Sequence, residues 1–157
     1  MIHFDKVTKI YLDETVALED VTIKIEASEF VSIVGHSGAG KTTLIKMILA
    51  EEKPTRGAVH FESTNIHKLK NKHIPGYRRR FGTVFQDFRL IPNKTVFENI
   101  AFAMEAAGRS DDEIASDVPH VLDLVDLGRK IWSFPRELSG GEKQRVAIAR
   151  AIVNQPD

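Results

Sequence analysis

The chain has 157 residues, of which 22 are basic and 22 acidic, so its formal net charge at neutral pH is zero. A hydrophobic content of 42% and a charged content of 28% are typical of a globular protein and exclude disorder as its main state. The neutral charge gives no reason to expect a nucleic-acid partner, and the lack of cysteine excludes disulfides and thiolate metal sites.

The first predicted elements are strands. Residues 2–11 and 17–25 are predicted to form two strands that are joined by a polar turn at 13–15. In the second strand, apolar and polar residues alternate, which is typical of an antiparallel sheet with one exposed face. Residues 30–34 are almost continuously apolar, so they predict a buried parallel strand that is covered on both faces.

A phosphate-binding loop is predicted directly after this run. Residues 35–42 read G-H-S-G-A-G-K-T and match the pattern G-x-x-x-x-G-K-S/T. Its glycines let backbone N–H groups close around phosphate oxygens, and Lys41 is expected to contact the β- and γ-phosphates. The Thr42 hydroxyl is expected to complete the coordination of Mg²⁺. An ordinary glycine-rich turn is the alternative, but a predicted strand before the loop and a predicted helix after it favour phosphate binding.

Further elements follow along the chain. A turn at 53–57 precedes a short predicted strand at 58–61, and residues 75–80 are predicted to form a short helix. Residues 81–85 predict another buried strand that ends at Gln86.

The last part of the chain is predicted to be helical. One helix begins at Thr95 and ends at Gly108. A second begins with the capping box of Ser110 and Glu113, and Pro119 predicts a kink or a break within it. Residues 141–153 are apolar on most faces and predict a buried helix.

A second candidate anion site begins that final helix. Residues 138–145 read L-S-G-G-E-K-Q-R, which we call the signature segment. Adjacent glycines expose backbone N–H groups at the start of a helix, and Ser139 adds a hydroxyl donor. Taken alone, the segment is explained more simply as a serine N-cap followed by a Gly-Gly turn.

Together, the phosphate-binding loop and the signature segment resemble the ATP-binding domain of ABC transporters over the whole chain. The resemblance implies an α/β P-loop ATPase core with an N-terminal antiparallel β-subdomain and an inserted helical subdomain, incomplete at the C-terminus. It places the β-subdomain and the phosphate-loop core in residues 1–86, the helical subdomain in 87–140 and the signature helix in 141–157.

The resemblance also implies roles for individual residues. Tyr11 would stack on adenine, with an ordinary strand-edge tyrosine as the alternative, and Gln86 would reach Mg²⁺ and the attacking water, with a polar strand end as the alternative. The catalytic residues would be Lys41 and Gln86, and the Mg²⁺ ligands would be Thr42 and Gln86. ATP would be contacted by Tyr11, Gly35, His36, Ser37, Gly38, Ala39, Gly40, Lys41, Thr42 and Thr43, and by Ser139, Gly140 and Gly141 of a second copy.

Within the family, residues 1–11, 35–41 and 79–87 are most similar to members that act in bacterial cell division, and His36 contributes most to this similarity. The implied protein is peripheral on the cytoplasmic face of the plasma membrane and forms a homodimer around ATP. Its transmembrane partner would transmit ATP-driven closure to septal cell-wall hydrolases. The alternatives are an ATPase of lipoprotein release or macrolide export, and a soluble ABC ATPase that acts on nucleic acid.

Two further expectations follow from the resemblance. A groove near Phe88, Leu90, Ile91 and Phe97 would receive a cytoplasmic helix of the partner, although these side chains could equally be ordinary core. The family's Walker B aspartate and catalytic glutamate come after the segment that ends here at Asp157. We therefore expect these residues alone to bind nucleotide weakly and to hydrolyse none.

Overall fold

A computed structural model describes all residues from 1 to 157. The chain divides into two compact units, Met1–Arg78 and Arg79–Asp157, and this division lies before the boundary that we predicted at residue 86. None of the helices combines the length and the apolar character that crossing a membrane requires.

The first unit is built on a four-stranded antiparallel sheet. Its strands are β1 (Ile2–Ile10), β2 (Val16–Ile25), β3 (Arg56–Phe61) and β4 (Thr64–Asn65), in the spatial order β2-β1-β3-β4. Phe4 lies opposite Ile23 of β2 and opposite Val59 of β3. The two predicted N-terminal strands are confirmed, and so is the alternation of exposure along β2.

Two helices complete this unit. Helix α1 (Lys41–Ile48) follows the phosphate-binding loop, and α2 (Ile74–Arg78) lies near the predicted short helix. The Tyr77 hydroxyl donates to the Ile48 carbonyl at 2.6 Å, and Arg78 Nε donates to the Leu49 carbonyl at 2.8 Å. These bonds satisfy carbonyls at the end of α1, which the helix itself leaves without a partner. The core consists of Phe4, Val7, Leu18, Leu44, Met47, Ile48, Leu49, Val59, Phe61, Ile66 and Tyr77.

The predicted buried strand at residues 30–34 is wrong. This segment is irregular, and Phe30 and Val34 are 95% and 86% exposed. A strand forms only where neighbouring backbone accepts its hydrogen bonds, and the sheet of this unit includes no such neighbour for the segment. Its apolar composition was therefore insufficient to predict a strand.

Three helices form the second unit: α3 (Val96–Ala107), α4 (Asp111–Leu124) and α5 (Gly140–Ile152). Each begins with a capping box, in which a hydroxyl and a glutamate three residues later exchange hydrogen bonds with the backbone. Gly108 ends α3 in the left-handed conformation, as predicted. The buried core consists of Val96, Ile100, Ala101, Met104, Ile114, Val118, Val121, Leu122, Leu127, Leu138, Val146, Ala149 and Val153.

Three predictions in this unit differ from the structure, in whole or in part. Residues 81–85 are irregular, not a strand, because they too join no sheet. Helix α4 continues through Pro119, so the break is wrong while the kink stays a prediction, and buried side chains at Val118 and Val121 hold the helix on both sides of the proline. Helix α5 is buried only in part: Val146, Ala147 and Ala149 are buried, whereas Ile152 is exposed.

Candidate nucleotide-binding site

The phosphate-binding loop lies between an irregular segment and α1. Gly38 and Gly40 have φ angles of +83° and +81°, a region that residues with a side chain rarely adopt. Gly40 is also the N-cap of α1, and a Cβ at this position would overlap the Ala17 carbonyl oxygen. Close packing against β2 therefore requires glycine at residue 40, whereas Gly38 has open space around it.

Lys41 is the first residue of α1 and reaches back across the loop. Its Nζ donates hydrogen bonds to the carbonyls of Gly35 at 2.8 Å and His36 at 2.7 Å. A third loop contact joins His36 Nδ1 to the Ser37 carbonyl at 2.7 Å. The ammonium group thus lies within the loop backbone, where it can exchange carbonyl oxygens for phosphate oxygens.

The N-terminus of α1 is free to bind an anion. The helix has no acidic residue in its first turn, and no side chain caps it at Gly40. Its first N–H groups therefore lack a side-chain acceptor, and the helix dipole adds partial positive charge at the same place. Thr42 is exposed in this turn, and Ala39 is exposed in the loop. This local arrangement fits the phosphates of a nucleotide.

Tyr11 lies close to the same helical turn. Its hydroxyl is 3.2 Å from the Oγ1 atom of the largely buried Thr43. Its backbone N–H donates to the Thr15 carbonyl at 2.9 Å, within the turn that joins β1 to β2. The structure therefore brings the aromatic ring and the phosphate-binding loop together, as a nucleotide site requires, while the stacking role remains a prediction.

Gln86 lies in the second unit, in a tight turn. The Phe88 N–H donates to the Phe85 carbonyl at 3.0 Å, and Gln86 itself is exposed. Phe88 and Arg89 have φ angles of +58° and +46°, which are strained for residues other than glycine. The turn that contains Gln86 must therefore be held by other groups.

Arg150 of α5 holds this turn. Its guanidinium group donates to the carbonyls of Phe88 and Arg89, each at 2.7 Å. Burial lowers the pKa of Arg150 below its ordinary value. Sequence reasoning missed this residue, although a basic residue within the apolar run from Val146 to Val153 was a usable signal.

The signature segment forms the start of α5. Ser139 is the N-cap: its Oγ accepts from the Glu142 N–H at 3.3 Å, and Glu142 Oε2 accepts from the Ser139 N–H at 2.7 Å. The pKa of Glu142 is lowered chiefly by the bond from the Ser139 N–H, then by the serine hydroxyl, and also by the nearby charges of Lys130 and Arg145. The simpler N-cap interpretation is thus present in the structure, with the serine oxygen as the acceptor.

The two glycines after Ser139 remain accessible. Gly140 and Gly141 are exposed, and neither has a neighbour within 4 Å of an added Cβ. A second protein copy could therefore approach the backbone of this helix end without displacing side chains.

A groove of about 830 Å³ lies beside the turn that Arg150 holds. Its lining is partly apolar and partly basic, and includes Phe88, Leu90, Pro92, Arg136 and Lys143. Phe88 and Leu90 were predicted to line such a groove. Of the other two residues predicted there, Ile91 is absent from the lining, and Phe97 packs against Trp132 with the ring centroids 5.2 Å apart.

Comparison with known proteins identifies the family. The family model described as ABC transporter matches residues 18–157, so the chain belongs to the ABC transporter family. Its relatives include the cell division ATP-binding protein FtsE of Bacillus subtilis, which is 51% identical over all of this chain and 69% of that protein. The FtsE protein of Escherichia coli is 46% identical over 99% of this chain and 70% of its own length.

Solved structures agree with this assignment. A dimeric ATP-binding cassette in a post-hydrolysis state, bound to ADP and Pi, has a TM-score of 0.89 and 37% identity. It is matched over 99% of this chain and 71% of its own. The predicted fold class, a P-loop ATPase of the ABC type with an antiparallel sheet and a helical part, is therefore confirmed.

Proposed function

We propose that this protein is the ATP-binding subunit of an FtsEX-type ABC complex in bacterial cell division. ATP binding and hydrolysis would act through a transmembrane partner to control septal cell-wall hydrolases. The observation that carries the proposal is the position of Lys41, whose ammonium group lies across the glycine loop at the uncapped start of α1. The 46–51% identity to proteins named FtsE supports the cell-division role.

Several groups of the phosphate-binding loop would each contact the phosphates or Mg²⁺. Lys41 would exchange the carbonyls of Gly35 and His36 for β- and γ-phosphate oxygens, while the loop and α1 donate backbone N–H groups. Mg²⁺ would be held by Thr42 and Gln86 and would neutralise phosphate charge. Catalysis would then depend mainly on positioning and on electrostatic stabilisation, as is usual for phosphoryl transfer.

Two copies of the protein would enclose each ATP. Ser139, Gly140 and Gly141 of one copy would contact the γ-phosphate that Lys41 of the other copy binds. The exposure of both glycines supports this arrangement, and so does the dimeric cassette that is similar to this chain. Hydrolysis would remove a contact that both copies share, so the dimer would open.

The membrane partner would be an FtsX-like transmembrane protein, and the ATPase would be peripheral on the cytoplasmic face of the plasma membrane. The groove lined by Phe88 and Leu90 would receive an apolar segment of this partner. Because the groove adjoins the turn that carries Gln86, binding there would act on the position of Gln86.

Co-purification with the FtsX-like protein tests the proposal. Leu90→Glu places a charge in the groove and should abolish capture of the partner. Leu124→Glu is the matched control, since this leucine lies on α4 and is already 65% exposed. In the assembled complex, Lys41→Ala should weaken ATP binding while the partner is still captured. Normal capture by Leu90→Glu would contradict the groove, and unchanged ATP binding by Lys41→Ala would contradict the assignment of the phosphate-binding loop.

A further inference from the structure

We propose that Lys9 is a positioning residue for the nucleotide base. It covers one face of the Tyr11 ring and fixes the ring's orientation, so that adenine stacks on the opposite face. This inference rests on the proposed function, because it assumes that Tyr11 forms the base platform. It assigns a role to a side chain that belongs neither to the phosphate-binding loop nor to the signature segment.

Three contacts hold the Lys9 ammonium group in place. Its Nζ lies 4.9 Å from the centroid of the Tyr11 ring, within the range of a cation–π interaction. The same ammonium group forms a 2.8 Å ion pair with Glu52 and donates to the Lys53 carbonyl at 2.9 Å. The Lys9 side chain is only 13% exposed, so this is an anchored cation and not a mobile surface lysine.

Three contacts restrain Tyr11. Its hydroxyl contacts Thr43, its backbone N–H is bonded to Thr15, and Lys9 lies over one face of the ring. Thr43 lies in the first turn of α1, two residues after Lys41. The base platform is therefore tied to the helix that begins at the phosphate-binding loop.

The contact with Lys9 leaves one face of the Tyr11 ring for adenine. A face that a cation occupies cannot also receive adenine, so a base must approach the other side of the ring. Because the ring is already ordered, less conformational freedom is lost when a base stacks on it. Stacking of a base on an aromatic side chain typically changes affinity by about 5- to 150-fold. Loss of Lys9 should remove part of that gain and leave the phosphate contacts unchanged.

Binding of two ligands separates base recognition from phosphate recognition. The affinities of ATP and of inorganic tripolyphosphate, both with Mg²⁺, are measured by calorimetry for the full chain and its variants. Lys9→Met should weaken ATP binding by about three- to tenfold and leave tripolyphosphate binding unchanged. Lys24→Met is the control, since this exposed lysine of β2 pairs with Glu26, and it should alter neither affinity.

Two further variants make the test specific. Glu52→Gln removes the ionic anchor of Lys9 without touching Tyr11, and it should weaken ATP binding in the same direction. In a Tyr11→Ala background, Lys9→Met should have no additional effect, because the platform that Lys9 positions is gone. An additive effect in this double variant would overturn the inference.

The possible failures are distinguishable. If Tyr11→Ala weakens ATP binding but Lys9→Met does not, the inference about Lys9 is wrong while the proposed site stands. Equal weakening of ATP and tripolyphosphate by Lys9→Met would also overturn it, since Lys9 would then act through the phosphate-binding loop. If Tyr11→Ala leaves ATP binding unchanged, base stacking itself is wrong, and the inference fails with it.

Discussion

Asn99 forms hydrogen bonds with both backbone groups of Ile91. Its Oδ1 accepts from the Ile91 N–H at 2.7 Å, and its Nδ2 donates to the Ile91 carbonyl at 3.2 Å. The same Nδ2 lies 3.0 Å from the Lys94 carbonyl and 2.9 Å from the Thr95 carbonyl. Asn99 is completely buried, so α3 fixes the loop at residues 91–95, part of which lines the groove proposed for the partner.

Replacement of Asn99 by alanine should therefore destabilise the second unit. Backbone groups of the loop would lose their partners in a buried environment, which we expect to lower the free energy of unfolding by about 2–4 kcal/mol. Urea unfolding can be followed by the fluorescence of Trp132, the single tryptophan of the chain. The exposed Asn93 provides a control, and Asn93→Ala should change stability by less than about 0.5 kcal/mol. Equal stability of both variants would contradict this role of Asn99.

Two glycines of the phosphate-binding loop should respond differently to alanine. Gly40→Ala combines a strained φ angle with overlap against the Ala17 carbonyl. It should therefore lower the free energy of unfolding by at least about 2 kcal/mol and disrupt nucleotide binding. Gly38 has a similar φ angle but open space around it, so Gly38→Ala should lower the free energy of unfolding by only about 1 kcal/mol. Thermal unfolding of the two variants provides the comparison. A larger loss in Gly38→Ala would show that packing against β2 is not what requires glycine at residue 40.

Removal of the Arg150 guanidinium group should release the turn that carries Gln86. Arg150→Met leaves the Phe88 and Arg89 carbonyls without their donor, and neither residue favours a positive φ angle. Hydrogen exchange at the Phe88 amide should accelerate by at least about tenfold, since hydrogen bonds to charged groups contribute about 1.5–3 kcal/mol. Arg145→Met, at an exposed position of the same helix, is the control and should leave this amide unchanged. Unchanged exchange in Arg150→Met would contradict the proposed restraint.

The capping box of α5 should make the stability of this helix depend on pH. The pKa of Glu142 lies below its ordinary value of 4.5 in the folded protein, chiefly because its carboxylate accepts from the Ser139 N–H. Its stabilising contribution is therefore fully present above pH 4.5 and is lost as the pH falls through the lowered pKa. An NMR titration of the Glu142 carboxyl should give a midpoint below 4.5, and Ser139→Ala should move it upward. A midpoint at or above 4.5 would contradict the capping geometry.

The sequence predicted local structure well. The capping box of Ser110 and Glu113 was recognised because both partners lie within one helical turn, and the glycine that ends α3 was recognised for the same reason. The β1–β2 hairpin was likewise predicted from alternating residues and a polar turn. Tyr11 was predicted as the last residue of the first strand and directly follows β1, but its contact with Thr43 needed the folded chain.

Non-local features were predicted poorly. The apolar runs at 30–34 and 81–85 look like buried strands, yet a strand depends on partners that composition does not specify. Asn99 and Arg150 were missed for a related reason, because the Ile91 carbonyl and the Phe88 carbonyl that they contact lie outside their own helices. Their importance comes from the backbone that they satisfy, and a side-chain pattern does not reveal it.

Binding of Mg²⁺–ATP to the wild-type chain and to Lys41→Ala, measured side by side, tests the central claim most directly. Wild type should bind ATP, and Lys41→Ala should bind it at least about tenfold more weakly, because a charged donor to the phosphates is lost. The variant should remain folded, since the Lys41 ammonium group contacts only carbonyls of the exposed loop. Equal ATP affinity of the two proteins would contradict the assignment of this loop as the phosphate site.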